Sequence, residues 1–355
     1  MHETRTSTRA TSARHQRTQT ITLARMSESH GFECKNSHST NITFHGCYTA
    51  VVTPFTSDGI AVDEARFAEQ IAFQADGGVR GIVACGTTGE SPTLEEDEHR
   101  LVVESAVTLG HARGLQVLAG AGSNCTRHAI ELQKLAFELG ADASLQVTPY
   151  YNKPSQEGIY RHFMTIADSC PLPIMLYNIP GRCGVAITPE TVARLARHPN
   201  IVAIKEATGS MDSASEIRQR CGITILSGDD SLSLSFAACG SSGVVSVVSN
   251  LLPSRVQALC DAFLGNRFHD AQAIHQEIFP LARGLLSLDV NPVPLKAAMK
   301  LLGRDSGSVR LPLAEASKET VAKISEVLAN FGIAKLESAS ARKFENASAA
   351  GGTHA

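Results

Sequence analysis

The chain has no apolar run long enough to cross a bilayer, which excludes an integral helical membrane protein. It has no excess of basic charge: 32 lysines and arginines against 35 acids leave a net charge of −3. No positive field therefore exists to hold nucleic acid or an anionic membrane surface. It has no Cys-x-x-Cys pair, and its nine cysteines are scattered from Cys34 to Cys260. An odd, unclustered set argues against a zinc site and a disulfide framework, and fits a reducing compartment. The 13 histidines show no His-Glu-x-x-His spacing, so no metal is expected. Phosphate-cradling and nucleotide-binding motifs are missing as well.

What is present describes an ordinary globular protein, with 43% hydrophobic residues, 19% charged residues and 28 glycines. A length of 355 residues suits one large domain or two average ones. Residues 1–42 are rich in Thr, Ser, Arg and His and lack apolar periodicity, so they are expected to be disordered. No apolar core of a secretory signal follows the early arginines. The segment reads as a non-functional extension, or as an upstream start with Met26 the natural beginning, and the protein is then cytoplasmic. Its acid-poor composition also bears a weak likeness to a transit peptide, which leaves a plastid location as the alternative. Residues 336–355, rich in Ala, Ser and Gly, read as a loose tail.

Between these ends, short apolar strands alternate with amphipathic helices about every thirty residues. The strands are expected at Cys47–Pro54, Gly81–Gly86, Leu115–Gly120, Ala143–Pro149, Pro173–Asn178, Ile201–Glu206, Ile223–Gly228 and Gly243–Val248. Their near-continuous apolar runs suit a parallel sheet covered on both faces. Asp63, Thr93 with Glu96, Thr126, and Thr188 with Pro189 are expected to open helices. Eight such units predict an α/β fold, a (β/α)8 barrel over 43–252, followed by a helical C-terminal region over 253–335. That region should contain helices at Arg255–Leu264, Asp270–Leu286, Pro294–Leu302 and Leu313–Phe331.

Barrels of this kind do their chemistry at the C-terminal ends of the strands. Strand 6 ends on Lys205-Glu206. A lysine there can snorkel to solvent or pair with Glu206, the commoner outcome. It can instead point into a dry pocket, lose its proton and attack a carbonyl to form a Schiff base. Strand 2 ends in Gly86-Thr87-Thr88-Gly89-Glu90-Ser91, a structural turn or a carboxylate cradle. Strand 4 leads to Tyr150-Tyr151 between prolines, which suits an interface, a pocket rim or core packing. Tyr177, at the end of strand 5, is a core residue or a proton donor. Arg182, fixed by the Pro180-Gly181 turn, is a surface residue or a bidentate carboxylate binder. Gly228 and the Gly243-Val244-Val245-Ser246 strand keep side chains small where Lys205 would point.

Six motifs then occur in order: G-T-T-G-E-S (86–91), V-T-P-Y-Y-N-K-P-S-Q-E-G (147–158), Y-N-I-P-G-R (177–182), I-K-E-A-T-G (204–209), L-S-G-D-D (226–230) and N-P-V-P-L-K (291–296). Together they resemble the 4-hydroxy-tetrahydrodipicolinate synthases, also called dihydrodipicolinate synthases, over about 45–335. The resemblance implies a class I, Schiff-base condensation of pyruvate with aspartate semialdehyde in lysine biosynthesis, with no cofactor beyond the imine on Lys205. It implies that Tyr177 relays protons and that Thr87 links it to Tyr151, which a neighbouring subunit lends. It implies that Thr88 binds the pyruvate carboxylate, that Val245 makes a backbone contact nearby, and that Arg182 binds the semialdehyde carboxylate; Gly228 is expected beside the substrate. The usual assembly is a homotetramer, a dimer of tight dimers.

Ser91, His99, Asn124 and Tyr150 match positions of the family's lysine effector site. Glu96 stands where sensitive members often have histidine, and His128 where they have an acid. An acid would pair with the lysine ammonium and a histidine would not, so weak or absent lysine inhibition is expected. Two other readings stay open at this point. One is a sister aldolase or lyase of the same barrel, acting on N-acetylneuraminate or 2-keto-3-deoxygluconate. The other is a barrel that binds a small acid without turnover.

Overall fold

The computed structural model describes residues 42–333. The extension drawn at 1–42, apart from Ile42, and the tail at 336–355 lie outside the described residues. Eight parallel strands close into one barrel, in the order of the chain. They are β1 (Gly46–Ala50), β2 (Gly81–Ala84), β3 (Gln116–Gly120), β4 (Ala143–Val147), β5 (Ile174–Asn178), β6 (Ile201–Glu206), β7 (Thr224–Ser227) and β8 (Gly243–Ser246). All eight fall within the expected segments or one residue outside them, and the expected (β/α)8 barrel is the fold.

Strand side chains alternate between two faces, and the buried clusters follow that alternation. Tyr48, Ala50, Val83, Leu118, Met175, Ala203, Leu226 and Val245 fill the barrel interior. Ile174, Leu176, Ile204 and Ile225 face outward, where Ile159, Phe163 and Ile217 of the surrounding helices cover them. Both faces are thus buried, which is why the strands read as continuous apolar runs.

Two helix starts differ from expectation. Thr93 sits in a short 3-10 turn, Ser91–Thr93, and its hydroxyl donates to the Glu90 carbonyl at 3.0 Å. The helix begins later, at Glu96, where the Glu98 carboxylate accepts the Glu95 amide at 3.1 Å. Thr126 is the first helical residue rather than the cap, because its hydroxyl is taken by His162 Nδ1 at 2.9 Å. Asp63 and Thr188 cap as expected, accepting from the amides of Arg66 and Thr191.

The helix Pro253–Leu264 packs against β1 and so completes the ring around the barrel, although it falls within the region expected as an appendage. Beyond it, Phe268–Leu286, Val293–Leu301 and Lys318–Phe331 form a helical layer. The last begins five residues later than expected, at a Ser317 cap that accepts the Thr320 amide at 3.1 Å.

This layer is fastened to the barrel by a fully buried ion pair. Lys296 Nζ lies 2.6 Å from Glu90 Oε1, and both side chains are wholly excluded from solvent. The ammonium also donates to the Thr53 carbonyl at 2.9 Å, and the other Glu90 oxygen accepts the Arg310 amide at 3.0 Å. Phe55 lies against both cations, with Lys296 Nζ 4.1 Å and the Arg310 guanidinium carbon 4.1 Å from its ring centroid. Burial pulls the Lys296 pKa down while Glu90 pulls it up. Removing one partner strands an uncompensated charge, whereas removing both does not. K296M or E90Q should therefore lower stability by about 3–5 kcal/mol, and E90Q/K296M should recover most of the loss, as measured by denaturant unfolding. Additive losses in the double variant would refute the pair as a coupled unit.

Candidate active site

Lys205 faces the barrel interior because of one extra residue. Ile174 of β5 pairs with Ile201 of β6, but the next residue, Met175, pairs with Ala203, so Val202 forms a bulge. Ile201 faces outward. Strict alternation from Ile201 would also turn Lys205 outward and bring Glu206 in. The bulge reverses that parity: Ala203 joins the interior cluster, Ile204 the outer one, and Lys205 pairs in register with Tyr177.

Glu206 consequently lies on the outer face. Its carboxylate accepts from Asn178 Nδ2 at 3.1 Å and from the Thr208 amide at 2.9 Å. It is not a partner for Lys205.

Lys205 is 5% exposed, and its Nζ lies 4.2 Å from the Tyr177 ring centroid. Desolvation pulls its pKa down to about 8; the Asp230 carboxylate opposes this and the Arg182 guanidinium reinforces it. At pH 7 roughly a tenth of the amine is then neutral, against far less than a hundredth for an ordinary exposed lysine, and that neutral fraction is the nucleophile. Gly228 makes room for it. A Cβ at Gly228 would stand 3.2 Å from Lys205 Cε and 2.6 Å from the Ala207 Cβ.

Burial pushes the Tyr177 phenol up to about 12, with Arg182 and a hydrogen bond with Thr87 acting against it. The phenol stays protonated at neutral pH and can donate. Thr87 and Thr88 sit in a turn closed by the Glu90 amide on the Thr87 carbonyl (3.2 Å) and the Ser91 amide on the Gly86 carbonyl (3.2 Å). Cys85 and Glu90, on either side of Gly86–Gly89, both have left-handed backbones with φ of 53° and 54°. Such strain persists only where the surroundings hold it. Here the buried Lys296 pair holds Glu90, and Thr53 Oγ1 donates to the Gly89 carbonyl at 2.8 Å.

Two cavities share the wall formed by Thr87, Tyr177 and Arg182. The smaller, about 240 Å³, brings together Lys205, Thr88, Gly228 and Asp230 with residues of the C-terminal layer, Ser287 and Asn291 among them. The larger, about 450 Å³, holds Ser91, His99 and Tyr150, with Glu96 and His128 beside them. Asn124 stands next to it and donates to the Tyr150 carbonyl at 3.2 Å. His99 Nε2 bonds the Gly120 carbonyl at 2.9 Å, and burial lowers its pKa.

Two expected site residues line neither cavity. The Val245 side chain packs inside the barrel, and it is Val247, past the end of β8, that lines the smaller cavity. Tyr151 is 89% exposed with φ of 72° and lines neither cavity, so one chain does not bring it to Tyr177 and Thr87.

Two further residues belong to the site. Asp230 is buried and accepts from Ser246 Oγ and from the amides of Val247 (2.8 Å) and Val248 (3.1 Å), which ties β7 to β8 beneath the cavity. Asn291 donates through Nδ2 to Thr88 Oγ1 at 3.0 Å, and its main-chain carbonyl accepts from Arg182 Nη2 at 3.3 Å. Both lie in motifs visible in the sequence, but neither has a local feature that assigns it a partner. Among the described residues, no group of three or more His, Cys, Asp or Glu side chains could hold a metal ion.

Known proteins resemble this chain over the described region. Residues 43–331 match the Dihydrodipicolinate synthetase family. The 4-hydroxy-tetrahydrodipicolinate synthase of Geotalea daltonii is 49% identical over 290 residues, covering 81% of this chain and 99% of that protein. The crystal structure of dihydrodipicolinate synthase from Aquifex aeolicus superimposes with a TM-score of 0.79 at 44% identity, over 82% of this chain and 99% of that one. The enzyme of Cyanidioschyzon merolae, solved with lysine bound, gives a TM-score of 0.79 at 40% identity over 82% and 99%. A barrel whose sixth strand delivers a desolvated lysine beside a tyrosine, matched along nearly the whole length of such relatives, belongs to the dihydrodipicolinate synthetase family.

Proposed function

We propose that the chain condenses pyruvate with L-aspartate 4-semialdehyde to 4-hydroxy-tetrahydrodipicolinate, with Lys205 as the covalent residue. The observation that carries this reading is the desolvated amine of Lys205, 4.2 Å from the Tyr177 ring centroid, in a cavity that also holds Thr88 and Arg182. Neutral Lys205 attacks C2 of pyruvate and water leaves, giving an imine. Loss of a methyl proton forms the enamine, whose carbon adds to the aldehyde. The semialdehyde amine then attacks the imine carbon, closes the ring and releases Lys205.

Tyr177, which burial keeps protonated, carries these protons, and Thr87 connects it onward. Thr88 binds the pyruvate carboxylate and Arg182 the semialdehyde carboxylate, with Gly228 and the β8 end around Val245 bounding the space. Tyr151, exposed on a rigid loop, completes the relay in a neighbouring subunit of a homotetramer. A sister aldolase acting on a polyol would need no fixed second carboxylate binder, and Arg182, held by the Asn291 carbonyl, supports the synthase reading. A cytoplasmic enzyme without a cofactor fits this chemistry.

Borohydride added with pyruvate should trap an adduct on the Lys205 peptide by mass spectrometry; an unlabelled Lys205 in an active preparation would end this assignment. The rate of imine formation should rise with pH through about 8 and then flatten, because only the deprotonated amine attacks. R182A removes a cation that depresses the Lys205 pKa, so its profile should shift to higher pH; a shift to lower pH would contradict the electrostatics.

At the larger cavity Glu96 stands for a histidine and His128 for an acid, so the carboxylate sits at a different point of the pocket, and with Ser91, His99, Asn124 and Tyr150 it supports only weak effector binding. Added lysine should inhibit condensation little, and H128E should increase inhibition. Strong inhibition of the unmodified enzyme would refute this reading of the pocket.

A further inference from the structure

The segment Asn291–Lys296 has no task in the reaction as described, yet it touches the Thr87–Thr88 turn at both ends. Lys296 holds Glu90 on one side, and Asn291 reaches Thr88 on the other. A threonine hydroxyl has one proton to give and lone pairs to receive with. At Thr88, 2% exposed, the oxygen receives the Asn291 Nδ2 proton at 3.0 Å. Its own proton is then left for another acceptor, and the shared cavity is where a carboxylate would supply one. With the amide turned the other way, Asn291 Oδ1 would take the Thr88 proton and leave only lone pairs facing the carboxylate.

The same residue meets Arg182 differently. There the contact is made by the main-chain carbonyl, at 3.3 Å, and does not depend on the side chain. One residue therefore touches both carboxylate binders, one through an amide side chain and the other through backbone.

We propose that Asn291 is a positioning residue for pyruvate recognition, which orients the Thr88 hydroxyl as a donor toward the pyruvate carboxylate. The inference rests on the reading of Thr88 as the binder of that carboxylate. It separates the two substrates. Loss of the side chain disturbs Thr88 and leaves the backbone contact to Arg182 in place. A hydrogen bond to a charged group governs roughly a tenfold change in affinity or more.

The test is steady-state kinetics of the full-length enzyme, varying each substrate in turn, for N291A, N291D, T88V and T88V/N291A. N291A should raise the KM for pyruvate by about tenfold while that for the semialdehyde stays within about twofold. N291D should raise it further, because a carboxylate takes the Thr88 proton and repels the substrate. T88V/N291A should be no worse than T88V alone, since both remove one interaction. Borohydride trapping at saturating pyruvate and the thermal unfolding midpoint report whether the variants are folded and still form the imine. An unchanged pyruvate KM in N291A and N291D would overturn the proposal. So would an equal rise for both substrates, which marks a structural disturbance of the cavity. If the wild-type enzyme itself forms no imine, the underlying functional reading has failed; an active wild type with an indifferent N291D fails this inference alone.

Discussion

Everything in the site depends on keeping one lysine amine out of water. Exposed, the Lys205 ammonium would hold its proton far above neutral pH and could not attack a carbonyl. Inside the barrel mouth, desolvation brings its pKa to about 8, and the Arg182 cation helps. Asp230 works against this, but its buried carboxylate is occupied by Ser246 and by the amides of Val247 and Val248. The balance leaves a reactive amine that the same charges keep from being fully neutral. Closure of the sheet is what makes the environment possible, since a barrel interior filled by Met175, Ala203 and Leu226 excludes water below the lysine.

The C-terminal helical layer belongs to this constraint as much as the barrel does. Its helix Phe268–Leu286 and the following Asn291 cover the cavity that contains Lys205. Its Lys296 pins Glu90, a strained residue three positions beyond Thr87. A buried ion pair is an expensive way to join two surfaces when apolar side chains would serve. What it adds here is a directional lock: Glu90 meets Lys296 through one oxygen and the Arg310 amide through the other, so the turn that presents Thr87 and Thr88 has a single seating.

The two residues proposed to bind carboxylates sit in different settings. Thr88 is buried and neutral, and can offer a directed proton. Arg182 is exposed at the end of a short helix, Pro180–Cys183, and can offer charge. Tyr177 and Thr87 stand in the wall between the two cavities and border both spaces.

Periodicity alone determined the eight strands, the barrel and the end of it where the chemistry lies, because apolar patterning and strand-to-helix spacing are local properties. The motifs carried the resemblance that gave Lys205, Tyr177, Thr87 and Arg182 their expected roles. The direction of Lys205 was legible through the resemblance and not through local patterning, since a one-residue bulge at Val202 decides which of Lys205 and Glu206 enters the barrel, and a bulge depends on pairing with β5. Not legible were Asn291 and the Lys296–Glu90 pair, whose partners lie about 200 residues away along the chain. The helices near Thr93 and Thr126 start elsewhere than those residues suggest, because each hydroxyl has a partner other than the helix amide it could have capped: the nearby Glu90 carbonyl for one, His162 for the other. The sequence by itself determined which residues could do the chemistry. Only the tertiary structure decided which of them face one another, because desolvation and hydrogen-bond direction exist only between surfaces that folding brings together.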